Sequence, residues 1–183
     1  MQENYGLGVD FGSAFIHAAI ARPTEHDDVV VCDVALGAGS DAFAACAFVA
    51  PNGAFLLGND AVRAGAVQPH LLVSDVARTV GSDVPLLVRG RAIAAESLMA
   101  ELVAEVVAKV TQTEGCGPAH VALTVPATWG AHRISALTAA LDVTELPPIT
   151  IVSAPIAAAT DHAARTPESP REQHWAIVAL GAS

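Results

Sequence analysis

The chain predicts an α/β protein built on a five-stranded mixed sheet, with a smaller α+β subdomain inserted after the third strand. Two patterns carry that prediction. The first 33 residues hold three short apolar runs separated by turn residues, as in an antiparallel meander, and the stretch from His120 to Ala164 alternates strand and helix, as in parallel β-α units. A third observation separates them: between the two lies an amphipathic helix preceded by short, mixed segments.

In chain order, Tyr5–Phe11, Phe15–Arg22 and Val29–Asp33 read as the opening strands, with PTEHDD as the turn between the second and third. Ala44–Ala50 and Ala54–Leu57 flank Pro51-Asn52-Gly53 and read as a hairpin. Asn59–Ala66 and Ser74–Val80 follow as short helices, and Leu86–Val88 as a small strand. From Ile93 to Thr113, Leu98, Leu102, Val106 and Val110 recur every fourth residue along one helical face, while Glu101, Glu105 and Lys109 hold another; Gly115-Cys116-Gly117-Pro118 stops the helix. Strand His120–Val125, helix Ala131–Leu141, strand Ile149–Val152 and helix Pro155–Ala164 complete the β-α-β-α run, with Pro155 suited to a first helical turn. TPESPRE (166–172) is a polar linker, and His174–Leu180 a last apolar strand. Residues 1–38 and 117–165 thus form the core subdomain, 39–116 the insert, and 166–183 the linker and an additional strand. Three antiparallel strands followed by two parallel ones is the order of an RNase H-like lobe.

Composition narrows the function classes. Hydrophobic residues reach 52% and charged ones 15%, which suits a chain that buries a core and not a disordered one. A formal charge of −10 without a basic stripe argues against nucleic acid as a partner. No apolar run is long enough for a membrane span and no export signal opens the chain, so a cytoplasmic location is expected, with no membrane partner. Cys32, Cys46 and Cys116 are widely spaced and fit reduced thiols. The histidines lack HExxH or HxxxH spacing, which gives a zinc site no support, and no nucleophile elbow accompanies the serines.

One short stretch invites chemistry: GVDFGSA (8–14), where an apolar strand runs into Asp10, Phe11, Gly12 and Ser13. It reads either as a hairpin turn, with Asp10 accepting turn amides, or as a place where a carboxylate and bare backbone amides meet a phosphate and its metal.

Five segments in order resemble motifs of one family. GLGVDFGS (6–13) is similar to a first phosphate motif G-I-D-L-G-T-T, and LLGNDAVRAGAVQPHLLVSDVARTVG (56–81) to a segment with F-D-A-K-R. VALTVPATWGAHRISAL (121–137) is similar to V-I-T-V-P-A-Y-F and its helix, IVSAPIAAA (151–159) to I-I-N-E-P-T-A-A-A, and WAIVALGAS (175–183) to a second phosphate motif F-D-L-G-G-G-T. The chain in this respect resembles the nucleotide-binding domain of DnaK-type chaperones (the heat shock protein 70 family), in the actin-like ATPase superfamily, as a trimmed N-terminal lobe.

The resemblance implies ATP or ADP with Mg²⁺ as the ligand, held weakly or not at all by this lobe alone. It assigns Asp10 to the magnesium's water shell, and Gly12, Ser13 and Gly181 to phosphate contact. It also implies losses. The family's water-steering lysine falls at Ala77, its cleft glutamate at Ala154 and the aspartate of its second phosphate motif at Ala179, while Ala182 stands in place of a glycine. Arg78 and Asp75 beside the lysine position read as a structural arginine and as a helix N-cap or surface charge. The expected function is therefore a catalytically degenerate lobe serving as a protein-interaction or weak nucleotide-sensing module of a larger protein. The alternatives are an ATP-hydrolysing fragment of a DnaK-type chaperone, or sugar- or acetate-kinase chemistry on the same fold. The second lobe is expected to lie outside this chain, because Ser183 falls inside the second phosphate motif. His174–Leu180 is expected to add to a sheet edge of its own chain or of a neighbouring one, the latter giving a homodimer, or else to be disordered, and the partner is expected to be another protein or the missing second lobe.

Overall fold

The computed structural model describes residues 4–25, 28–37, 41–166 and 176–178. It is a mixed α/β structure. Strands β1 (Gly6–Phe11), β2 (Phe15–Pro23) and β3 (Val29–Asp33) form the antiparallel meander. After them come β4 (Phe43–Ala44), β5 (Ala47–Val49), β6 (Phe55–Leu57), helix α1 (Gly58–Gly65), β7 (Leu72–Val73), helix α2 (Val76–Thr79), β8 (Leu86–Val88) and β9 (Arg91–Ile93). Helix α3 (Ala95–Glu114) then leads to β10 (His120–Val125), helix α4 (Ala131–Leu141), β11 (Ile149–Ser153) and helix α5 (Ala154–Arg165).

The main sheet runs β11-β10-β1-β2-β3, with β1, β10 and β11 mutually parallel and β2 and β3 antiparallel. It holds one strand more than the five expected: β4 pairs with Phe15 and Ile16 of β2, in line with β3. Two residues are too few to show alternation, so β4 is silent in the sequence. The same contact breaks the expected strand Ala44–Ala50. At Ala45 the amide turns to the carbonyl of Ala14 (2.9 Å), and beyond Cys46 the chain enters a separate sheet of order β6-β5-β7. Ile93, expected to open the long helix, pairs with Leu86 in a β8–β9 hairpin, and the helix begins two residues later. Arg89 and Gly90 make that turn with φ of 53° and 75°, the signs a tight two-residue hairpin demands. Of the expected strand His174–Leu180, only 176–178 lie among the described residues, and these join no ladder; a strand needs a partner for its backbone groups.

Alternation explains the layering. Leu7, Val9 and Phe11 of β1, Ile16, Ala18 and Ile20 of β2, and Val121, Leu123 and Val125 of β10 share one sheet face and are buried. They belong to one hydrophobic cluster with Leu98, Met99, Leu102, Val103, Val106 and Val110 of α3 and Leu137 of α4. The cluster continues through Phe43, Phe48, Ala61, Val76 and Val80, so the core is continuous from the main sheet into the smaller elements. Polar contacts pin its rim. The Tyr5 hydroxyl donates to the Cys116 carbonyl (2.9 Å), Arg22 pairs with Glu114, and the Arg22 guanidinium lies 5.6 Å from the Tyr5 ring centre. These tie the end of α3 to the start of the sheet. Among the described residues no helix is long and apolar enough to cross a membrane.

Two features yield measurable consequences. Gly58 opens α1 at φ +60°, and a Cβ there would stand 2.1 Å from Cε2 of the buried Phe43 ring. Gly58→Ala should therefore lower unfolding free energy by roughly 2 kcal/mol or more, because backbone and ring cannot both be accommodated; urea denaturation measures it. Burial pushes the Cys46 thiol above its ordinary value. A raised folded value means that stability is fully present below the unfolded thiol's pKa. It is lost as pH rises past that point, since only the unfolded chain then ionises. Between about pH 8 and 10 the wild type should lose stability more steeply than Cys46→Ala.

Candidate functional site

The parallel strands β1, β10 and β11 end together, and four of the sequence-nominated positions, Asp10, Gly12, Ser13 and Ala154, lie at those ends. Asp10 is the penultimate residue of β1, in register with Thr124 of β10 and with His17 of β2; Thr124 is in turn in register with Val152. Cross-strand neighbours in register share a sheet face, so Asp10, His17 and Thr124 stand on the face opposite the core. Asp10 is exposed, and its carboxylate accepts a hydrogen bond from the Thr124 hydroxyl.

The β1–β2 turn follows at once. The Gly12 amide donates to the Phe15 carbonyl (3.0 Å), and the Ala45 amide donates to the Ala14 carbonyl (2.9 Å), which clamps the turn against the chain beyond β4. Gly12 has a specific local reason to be glycine: a Cβ at this residue would stand 2.7 Å from the Phe15 carbonyl oxygen. Ser13 is half-buried in the same turn. On the neighbouring strand end, β11 passes directly into α5, so Ala154 is the first residue of that helix and Pro155 lies in its first turn. Ser153 occupies the N-cap position without a side-chain cap bond.

Ala77 lies elsewhere in character. It is buried in α2, which packs on α3, and is part of the hydrophobic cluster. Arg78 beside it is exposed. Asp75 stands just before α2, at the N-cap position, but with φ 54° and no side-chain cap bond. The segment ends on α4: the Gly81 carbonyl lies 3.2 Å from the His132 ring nitrogen, and Arg133 packs against Gly81. Ala179, Gly181 and Ala182 lie outside the described residues.

Chemically this is a half-cradle. It has one exposed carboxylate, two hydroxyls on Thr124 and Ser13, a turn at which glycine brings backbone close, and a helix beginning at the same edge. Among the described residues no group of three or more His, Cys, Asp or Glu side chains is placed to hold a metal ion directly. A single carboxylate does fit Mg²⁺ retained through its own waters and a ligand's phosphates, which is the way that ion is commonly bound. Thr124 is the site residue the sequence did not nominate. Its signal was available: LTV at the end of one parallel strand stands beside VDF at the end of its neighbour.

A separate open groove of about 300 Å³ is lined by Ile134, Thr138, Leu141, Leu146, Pro148 and Ile149 among others, between α4 and β11. None of Asp10, Gly12, Ser13 or Ala154 lines it. No protein-family model matches the chain, and no curated protein matches it.

The local geometry separates turn from ligand. Gly12→Ala should destabilise the ligand-free protein by about 1–3 kcal/mol, because the Phe15 carbonyl must move. Asp10→Asn, at an exposed position, should change stability by no more than about 0.5 kcal/mol. Thermal or urea unfolding of the two variants in the absence of nucleotide checks both expectations.

Proposed function

We propose that this chain is a catalytically degenerate RNase H-like lobe of the actin-like ATPase type, similar to that of DnaK-type chaperones, and that it works as a protein-interaction module or a weak nucleotide sensor. The observation that supports this reading is the pairing of a retained turn with missing charges. The turn Asp10–Ser13 stands at the joined ends of the parallel strands, where a phosphate-binding hairpin of that family would lie, while Ala77 and Ala154 carry methyl groups at the positions matched to a lysine and a glutamate.

In this reading Asp10 orders water around Mg²⁺, Thr124 holds the Asp10 carboxylate in place, and the Gly12–Ser13 backbone and hydroxyl approach a phosphate. What such a ligand supplies when bound is the metal's positive charge beside the phosphates. The described residues at the strand ends supply no ammonium to match it. The segment carrying Ala77 offers a buried methyl, and its neighbour Arg78 points into solvent. Loss of one preorganised polar group typically lowers a rate by about 10²–10³, and groups that act together are not additive, so the alanines support a lowered rate without their effects being multiplied.

The expected outcome is no phosphate release from Mg·ATP above that of Asp10→Ala, and calorimetric binding weaker than about 1 mM. Release by the wild type that Asp10→Ala abolishes would overturn the degenerate reading in favour of an ATP-hydrolysing chaperone fragment.

A further inference from the structure

The meander leaves β3 as an outer strand of the main sheet, with all five of its residues exposed. Val29, Val30 and Val31 keep 60%, 51% and 56% of their surface in water, a row of β-branched side chains on a strand edge. Proteins ordinarily blunt such an edge with lysine, proline or a bulge. β3 carries neither lysine nor proline, whereas β11, the other outer strand of that path, is preceded by Pro147-Pro148, which has no amide hydrogen to offer.

The ladder's parity identifies which backbone groups of β3 remain unused by β2. The Val34 amide donates to the Ala18 carbonyl (2.9 Å), and the Thr24 amide donates to the Asp28 carbonyl (2.7 Å). With Ala19 opposite Asp33 and Pro23 opposite Val29, hydrogen-bonded pairs fall at the even positions, so Val30 and Cys32 bond to β2. Val29, Val31 and Asp33 therefore aim N–H and C=O at the outer edge, where no described strand pairs with β3. Pro23, opposite Val29, agrees with this parity, since its pair needs no amide from it.

Charge selects the occupant. Glu25 and Asp28 flank the apolar row at one end and Asp33 closes it at the other, all three exposed. Of the nearby cations, Arg22 is paired with Glu114, and Arg165, which feels the charge of Asp33, is held by Asp161 at 2.8 Å. A second copy of the chain fits badly. An antiparallel β3–β3 pair centred on Val31 sets Asp28 of each copy opposite Val34 of the other and Asp33 opposite Val29, which crowds an Asp28 and an Asp33 into each end of the new ladder, and each copy carries a formal charge of −10.

We propose that β3 is an acceptor edge for an extended segment of another protein, one with β-branched residues at its centre and Lys or Arg at both flanks. The segment adds a strand by bonding to the outward groups of Val29, Val31 and Asp33, and its basic flanks meet the acidic ends of β3. This rests on the edge alone and is independent of any nucleotide.

The test uses the full chain and the probe peptide Ac-KKVTVTVKK-NH2, followed by amide NMR and hydrogen exchange at low salt. The Val29, Val31 and Asp33 amides should gain protection by about tenfold or more, and affinity should fall as salt is raised. Val31→Pro removes an outward donor without touching the β2 ladder and should abolish the effect. Because that variant could fail on its own folding, the peptide Ac-KKVTPTVKK-NH2 against the wild type provides the same loss from the partner's side. Unchanged exchange at those three amides with the basic peptide, or equal protection by Ac-EEVTVTVEE-NH2, would overturn the proposal. So would a concentration-dependent dimer, seen in sedimentation, that protects the same amides without peptide.

Discussion

Strand β1 is the constraint from which the rest of the molecule follows. It is paired on both sides, antiparallel to β2 and parallel to β10, and in the order of the main sheet it is the strand that joins the meander to the β-α units. Its alternation leaves no freedom of register: a slip of one residue would expose Leu7, Val9 and Phe11 and bury Asp10. Burying three such side chains is worth about 1.5–3 kcal/mol each, and an unpaired carboxylate in their place would cost more than any one of them gains. That energy gap, and not the chemistry of the turn, holds Asp10 at the strand end facing water.

The site's character is a consequence of that register. A strand whose core face ends on Phe11 must turn immediately, since the next residue has no sheet to enter, and the Gly12–Phe15 bond is the tightest way back into β2. The glycine is thus demanded by the turn whether or not a phosphate ever approaches. What a phosphate-binding role would additionally require is positive potential, and here the chain runs the other way. The chain carries a formal charge of −10 and the half-cradle's own acidic residue is Asp10, so a polyanion must bring its own cation to be held. Nucleotide sensing through this edge would therefore depend strongly on the metal, whereas contact with a basic protein surface would not.

Much of the fold was legible because long elements repeat their pattern enough times to be read. β10 and α4 have the boundaries their periodicity predicts, β3 likewise, and α3 starts two residues later, where Ile93 is taken by a hairpin, and ends one residue later, at Glu114. The failures share a cause. β4 and β7 are two residues long, so their membership in a sheet is decided by distant partners, Phe15–Ile16 and Ala47–Phe48, that no local window contains. Of the site, the turn and Asp10 were readable as a motif, but Thr124 was not nominated because its role is visible only once the register of two strands 114 residues apart is known. Ala77 shows the reverse limit. Its identity was plain in the sequence, but that it packs into the core is a property of how α2 lies on α3.

Edges behave differently from cores in what they reveal. A buried residue is explained by its neighbours, so Leu123 or Val106 needs no function to account for it. The valines of β3 have no such account among the described residues: the row Val29–Val31 is exposed, bears outward backbone donors and acceptors, and is framed by acids. Exposed β-branched residues on an unguarded edge carry an aggregation hazard, and acidic flanks are one of the ways to limit it, because like-charged copies repel where a basic strand would be drawn in. The flanks therefore act as a filter on partners as well as a safeguard. The strand ends bearing Asp10 and the edge bearing β3 lie on the same meander, joined through β2, whose residues pair with Asp10 on one side and with Asp33 on the other. A change in how β2 sits would be felt at both.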